Sequence, residues 1–210
     1  MDLVNANKTL ELIQKLYEIM IANYTAETVS QKFIETISQV LGFSDGLVLI
    51  ADERDPLLSV VAITQTEMNK TILEACNIHA QDLKFDRKNT DNALVRVFLS
   101  GKPESINTIW SVWTPYVKKD DVSGINTAVG DQLFLIYPII YGQKIMGSFA
   151  VNLGKQSGNL TEFESTTLSR LVTVFGIAID RVRINLELQE TEKRELEKAK
   201  ELLRLKDEFV

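Results

Sequence analysis

The 210-residue chain has a single cysteine, Cys76, and a single histidine, His79. One cysteine forms no disulfide within the chain, which fits a reducing compartment. One histidine leaves no second imidazole for a His-based metal site, and any Ser-His-Asp arrangement would have to use His79. P-loop, G-x-S-x-G and HExxH motifs are all missing. Basic residues are outnumbered, 23 against 29 acidic ones, for a net charge of -6. With no basic stripe to offset that acidity, nothing marks a nucleic-acid surface. Apolar runs such as 46–51 are strand-sized and far too short to span a membrane. The first residues lack the basic and apolar regions of a signal peptide. The expectation is a cytoplasmic protein, or the cytoplasmic part of one. It has no nucleic-acid partner and no membrane span, and the sequence requires no cofactor.

What is present is ordinary globular material: 45% hydrophobic and 25% charged residues, with ten glycines and four prolines. That is enough for one well-cored domain plus an extension. Leu10, Ile13, Leu16, Tyr17, Met20 and Ile21 predict an amphipathic helix over about 7–23. Val29, Phe33, Ile37, Val40 and Leu41 predict a second over 27–41, closed by Gly42 as its C-cap. The period then changes. Runs 47–51 and 57–63 are β-rich and flank the turn-forming Asp52-Glu53-Arg54-Asp55-Pro56. A short helix or irregular segment is expected from Met68 to about His79, and a polar loop over 81–90. Helix returns at 91–100 and ends at Gly101, and 102–106 reads as a short strand. The clearest hairpin is 132–141 and 144–153 around Gly142-Gln143. This order implies an α+β fold with an antiparallel sheet flanked by helices. The last hairpin is expected at the sheet centre, with the first and last helices covering one face.

The longest element is expected at the end of the chain. Thr161 is placed to N-cap a helix, with Glu164 as its capping-box partner. Apolar residues follow at alternating steps of three and four, and no proline or glycine occurs after Gly176. A helix from 161 to 210 would be roughly 75 Å long, more than a domain of this size can bury. Its first half must belong to a globular body and its second half must project. The boundary is expected near residue 183, giving a body over 1–183 and a coiled-coil helix over 184–210. Phe175, Val182, Leu196, Leu203 and Val210 fall on a seven-residue repeat, with Ala178, Asn185 and Ala199 between them. Such a seam buries apolar surface against a partner helix, so a parallel homodimer is expected. Leu171 lies on the same face, and Leu12, Leu16 and Ile19 of the first helix are expected to complete a four-helix interface. A second stripe, Leu202, Leu205 and Phe209, is offset from the first by one residue, a rotation of roughly 100°. Two packings of similar energy are what a switch requires.

Between 107 and 130 periodicity is weak, yet both tryptophans lie there. Trp110, Trp113 and Tyr116 recur every third residue. They can roof a small-molecule pocket over the sheet or anchor a long loop to the core. The adjacent Asp120 and Asp121 read as solvated loop charges.

The stretch 134–151 (FLIYPIIYGQKIMGSFAV) resembles the GAF family of signalling domains: a strand ending in a proline, a glycine turn, then an Ile/Val-x-Gly strand. The Leu160-Thr161-Glu162-Phe163-Glu164 step into a helix and Gly101-Lys102-Pro103 after an apolar helix resemble that family too. The likeness covers about residues 7–185 and implies a GAF-like sheet with a ligand pocket. Some relatives bind haem through a histidine or attach a bilin at a cysteine, which makes His79 and Cys76 candidates for ligand contact. The bilin pattern places histidine directly after the cysteine, whereas here the order is Cys76-Asn77-Ile78-His79. Asn69-Lys70 and Phe85-Asp86 echo the cyclic-nucleotide subgroup without its Asp-Glu pair, and the reductases of this fold need several cysteines. Leu205-Lys206-Asp207-Glu208-Phe209-Val210 resembles the segment preceding the phosphoacceptor helix of sensor histidine kinases. Together these imply a non-catalytic sensor module feeding a downstream kinase. The alternatives are a GAF-fold enzyme and a pure dimerisation scaffold.

Overall fold

In the computed structural model, residues 3–21, 24–121, 132–153 and 161–208 are described. Helix α1 spans Leu3–Ile21 and α2 spans Ala26–Leu41. The Thr25 side chain accepts a hydrogen bond from the Thr28 N–H, and Gly42 closes α2 in the left-handed region at φ +76°, where a Cβ would be strained. Strands β1 (Asp45–Ala51) and β2 (Leu57–Ile63) follow. Their turn is built as its composition predicts. Asp52 Oδ1 accepts from the Arg54 N–H and Asp55 Oδ1 from the Leu57 N–H, each at 2.9 Å, so both carboxylates fix the backbone locally.

Helix α3 (Glu67–Cys76) is followed by a single 3-10 turn and strand β3 (Lys84–Asp86). The sequence reads β3 as loop because only its central residue, Phe85, is buried. Three residues with one inward side chain carry too little alternation to register as a strand. Helix α4 (Ala93–Ser100), strand β4 (Glu104–Ile106) and the short helix α5 (Ile109–Trp113) come next. The last hairpin is β5 (Phe134–Tyr141) and β6 (Lys144–Asn152), and α6 (Glu162–Glu208) completes the described chain.

The six strands form one antiparallel sheet in the order β3-β2-β1-β6-β5-β4. Only half of the last hairpin is central: β6 pairs with β1 in the middle, while β5 is second from the edge because β4 adds outside it. One face carries Val48, Leu135, Ile139, Phe149 and Val151 beneath α2 and α6. Phe33 of α2 stacks on Phe175 of α6 at 4.0 Å and meets Phe149 edge-on at 5.6 Å. It is α2, not α1, that shares this face with α6; α1 lies outside, packed on both helices. The reason is the wider apolar face of α2, which buries Val29, Phe33, Ile34, Ile37 and Val40. The other face carries Leu47, Leu49, Phe134, Ile136 and Ala150 beneath α3, α4 and α5.

Helix α6 has 47 residues, about 70 Å at 1.5 Å per residue. Its capping box is formed: Glu164 accepts from the Thr161 N–H at 2.8 Å, and Thr161 Oγ1 accepts from the Glu164 N–H at 3.2 Å. Leu168, Leu171, Phe175, Ala178, Ile179 and Val182 are buried, whereas residues 186–205 are all exposed. The helix is thus packed on the body up to Val182 and stands clear of it over 186–205.

Two glycines set how closely elements approach. A Cβ on Gly176 would lie 2.3 Å from the Ile140 carbonyl oxygen, and one on Gly147 would lie 2.0 Å from that of Leu49. Both neighbours are backbone, so the clash has no cheap relief. Gly147→Ala and Gly176→Ala are each expected to cost about 1–3 kcal/mol, the overpacking range. Gly142, at φ +61° with nothing within 4 Å, tolerates asparagine at below about 1 kcal/mol, because asparagine adopts that region. Urea denaturation of the three variants checks this ordering.

Candidate functional site

The face of the sheet covered by α3, α4 and α5 holds the aromatic segment. Asn92 fixes its position. Its side-chain oxygen caps α4 by accepting from the Leu94 and Val95 N–H groups, and its amide donates to the carbonyls of Val112 at 2.7 Å and Thr114 at 2.9 Å. One fully buried side chain thus ties the start of α4 to the end of α5.

The three aromatic residues are placed differently. Trp113 is 1% exposed and plugs the space between α5 and the sheet. Trp110 is half-buried on the outer side of α5, with Lys119 Nζ 4.6 Å from its ring centre. The Tyr116 hydroxyl accepts from the Lys84 N–H at 2.9 Å and donates to the Lys84 carbonyl at 2.7 Å, and its ring stands edge-on to Phe85. It therefore tethers the segment to edge strand β3. Cys76 Sγ lies 3.4 Å from the Tyr116 carbonyl oxygen, so these two candidates meet. His79 is exposed, at the N-terminus of the 3-10 turn. Among the described residues, no group of three or more His, Cys, Asp or Glu side chains could hold a metal ion.

Next to Trp113 lies a polar cluster that the sequence analysis passes over. Asp45, 6% exposed at the start of β1, accepts from the Thr66 hydroxyl and more weakly from the Asn69 amide at 3.4 Å. Its other oxygen accepts from the Asn152 amide at 3.2 Å. Asn152 also donates to Gln132 Oε1 at 2.7 Å, and Asn69 donates to the Thr64 carbonyl at 2.9 Å. Thr66 is the N-cap of α3, so the partial positive charge of that helix end lies beside the carboxylate. A void of about 10 Å³ separates this cluster from Trp113, Val112, Phe134 and Ala150, at the lower limit of what holds one water. The available signal was a polar residue at the end of each of two apolar strands, Asp45 at the start of β1 and Asn152 at the end of β6. They face each other as register partners but stand 107 positions apart in sequence.

The residues expected at a dimer interface divide into two groups. Leu12, Leu16, Ile19, Leu171, Phe175, Ala178 and Val182 are buried within the chain's own core, so they are not free to face a partner. The physical reason is that α2 and the sheet already supply the apolar surface that a partner helix would have supplied. Asn185 is half-buried, and Leu196 and Leu203 are exposed. A different stripe of α6 is open: Ile177, Ile184, Leu188, Leu202 and Leu205, spaced by sevens, threes and fours. The exposed Leu10, Ile13 and Tyr17 lie on α1. Ile13 and Tyr17 help to line a groove of about 830 Å³ between α1 and the first half of α6, with Phe163 and Val174 opposite.

Where α6 leaves the body it is held by charge. The buried Asp180 accepts from Arg183 at 2.7 Å, and Glu53 of the β1–β2 turn lies 3.7 Å from the same guanidinium. Glu53 also pairs with Lys144 at the tip of the last hairpin, and that lysine holds its carboxyl below the usual range.

Truncating Trp113 to alanine is expected to cost about 3–5 kcal/mol, as for other buried aromatics. Trp110→Ala, which removes one half-exposed cation–π contact, should cost about 1 kcal/mol or less. Chemical denaturation separates the two; equal costs would contradict the difference in their burial, 1% exposed for Trp113 and half-buried for Trp110.

No protein-family model matches the sequence, and none of the curated proteins does. Solved structures do match. Residues 122 to 287 of a methyl-accepting chemotaxis protein share 19% identity at a TM-score of 0.59, covering 81% of this chain and 98% of that one. The GAF domain of a phosphoenolpyruvate-protein phosphotransferase from Coxiella burnetii shares 17% at 0.61, covering 86% and 97%. Free methionine-R-sulfoxide reductase from Neisseria meningitidis, solved with its substrate, shares 9% at 0.58, covering 88% and 95%. At these identities the likeness concerns the backbone arrangement. The chain has a GAF-like fold, an antiparallel sheet between two helical layers with a long C-terminal helix.

Proposed function

We propose that the chain is a sensory or regulatory module that passes its conformational state along α6 to a following signalling domain. The carrying observation is the change in α6 after Val182, from a helix buried against the sheet to one that projects while keeping an open apolar stripe. Residues 1–183 form the sensing body and 184–210 the output helix. The match of 205–210 to the entry segment of sensor histidine kinases favours such a kinase as the recipient. Phe209 and Val210 lie outside the described residues.

The output helix works as a homodimer, with seam positions drawn from the open stripe. The Phe175–Val182 face is committed to the body, so the upstream seam runs through Ile177, Ile184 and Leu188. Leu202 and Leu205 continue that phase, whereas Leu196, Ala199 and Leu203 continue the phase of the buried face. Between the two apolar parts the open stripe carries Thr191, Glu195 and Lys198. A polar middle makes the coiled coil weakest there, and it is there that the lower half can change phase.

A small ligand binding between the sheet and α5, near Trp110, Trp113 and Tyr116, is the input this reading favours, with Cys76 at its margin. The small void beside Trp113 favours a second reading, in which the body is a dimerisation scaffold with a filled pocket. An enzyme reading finds less support: His79 is exposed, while Cys76 is the chain's sole thiol. Single cysteines at 184, 188, 202 and 205 are expected to cross-link across the dimer in the resting state, with 196 and 203 cross-linking poorly. Cross-linking at 196 and 203 together with 184 would place a phase change in the resting seam. Absence of cross-links at every position, with a monomer by light scattering at micromolar concentration, would end the dimer reading.

A further inference from the structure

Val182 is the last apolar residue of α6 buried in the body, and 186–205 are all exposed. Over the turns between, the hold on the helix passes from packing to charge. Arg183 faces three carboxylates: Asp180 at 2.7 Å and Glu187 at 3.9 Å on its own helix, and Glu53 at 3.7 Å on the β1–β2 turn. The same oxygen of Glu53 meets Lys144 at the tip of the β5–β6 hairpin, so one carboxylate joins both hairpin ends to the helix. The next turn residue continues the pattern. The Arg54 guanidinium, held above its ordinary value first by its hydrogen bond to Asp52, also feels Glu190 and Glu187. Glu53 and Arg54 thus meet opposite charges at Arg183 and then at Glu187 and Glu190, in the same order along the chain.

These contacts answer differently to salt. The Asp180 side chain is 8% exposed and that of Glu53 72%. Exposed pairs are individually weak, and at 1 M salt charges are screened over about 3 Å, whereas a buried pair is screened much less. Arg183 therefore stays with α6 through Asp180, and the junction between turn and helix is the part that opens. We propose that the β1–β2 turn is a charge clasp on the output helix: Glu53 and Arg54 hold residues 183–190 in line with the body, and release of the clasp lets the projecting helix swing from Val182. Both are positioning residues. The turn is also tied to edge strand β3, through Asp55 and Lys84 at 3.2 Å, so a shift of that edge bears on the clasp. This rests on the reading of α6 as an output helix and adds the point at which the body lets go of it.

The test reads one distance within a protomer of the whole chain. Spin labels are placed at Leu99→Cys on α4 and Lys200→Cys on α6, in a Cys76→Ala background diluted with unlabelled chain, and measured by double electron–electron resonance. Residue 200 lies about 25 Å along α6 from Arg183, so a swing of roughly 20° moves its label by about 9 Å. A narrow distribution is expected at low salt. Raising potassium chloride to about 1 M should broaden or shift it by about that amount, as should Glu53→Gln or Arg54→Glu at low salt. Adding Glu187→Lys and Glu190→Lys to Arg54→Glu should restore the narrow distribution. Because these groups are exposed, Tm should change by less than about 2 °C throughout. A distribution indifferent to salt and to both single substitutions overturns the proposal. So does a broadening that the added lysines fail to reverse, or one that appears only with a large loss of Tm. A responsive distribution without dimer cross-links would end the dimer reading and leave the clasp in place, while dimer cross-links with an unresponsive distribution would remove the clasp alone.

Discussion

The contact between the inner face of α6 and the sheet is the constraint on which the rest of the structure depends. Phe175 stacks on Phe33, which meets Phe149 edge-on, so three elements share one aromatic junction. The next residue, Gly176, lets the helix backbone reach the Ile140 carbonyl, at the irregularity in the β5–β6 pairing. Burying Phe175 alone is worth about 1.5–3 kcal/mol. The larger consequence is geometric. Because this face is committed, the rotational setting of α6 about its axis is fixed by the body, and so is the stripe that emerges beyond Val182.

The same commitment links the two ends of the sheet. The β1–β2 turn and the β5–β6 hairpin both reach α6 at its exit, through Glu53, Lys144 and Arg183. These charges are largely exposed, so each pair contributes little to stability. Their position matters more than their strength. They touch the helix where its inner face runs out of core, and a small change in hairpin position there is not absorbed by close packing. The β1–β2 turn is also held from its other side by β3, through Lys84 and Asp55, and β3 carries the tether to Tyr116. A continuous set of contacts thus runs from the aromatic segment to the helix exit.

The opposite face of the sheet is built on another principle. Around Trp113 it is apolar and close-packed, yet at the β1–β6 register pair Asp45 and Asn152 it carries a buried polar network. Such networks hold their geometry because every group in them would be costly to strand. Here the network also latches the first turn of α3 to the sheet through Thr66 and Asn69.

Features written over a few residues were legible in the sequence. The capping box at Thr161 and Glu164, the αL closures at Gly42 and Gly101, the turn between β1 and β2 and the Gly142 hairpin each depend on neighbours within about four positions. Local chemistry alone sets them. Helical periodicity likewise gave the long helix at the end of the chain. What periodicity could not supply was a direction. The repeat through Phe175 and Val182 marks an apolar face equally well whether a partner helix or the chain's own sheet covers it. Only the placement of α2 beside α6 assigned that face to the core and left the stripe of Ile177, Ile184 and Leu188 open. The polar cluster was hidden for the same reason: Asp45, Asn69, Gln132 and Asn152 lie on four separate segments. Nothing local relates them until the antiparallel pairing of β1 with β6 brings residues 107 positions apart into hydrogen-bond contact.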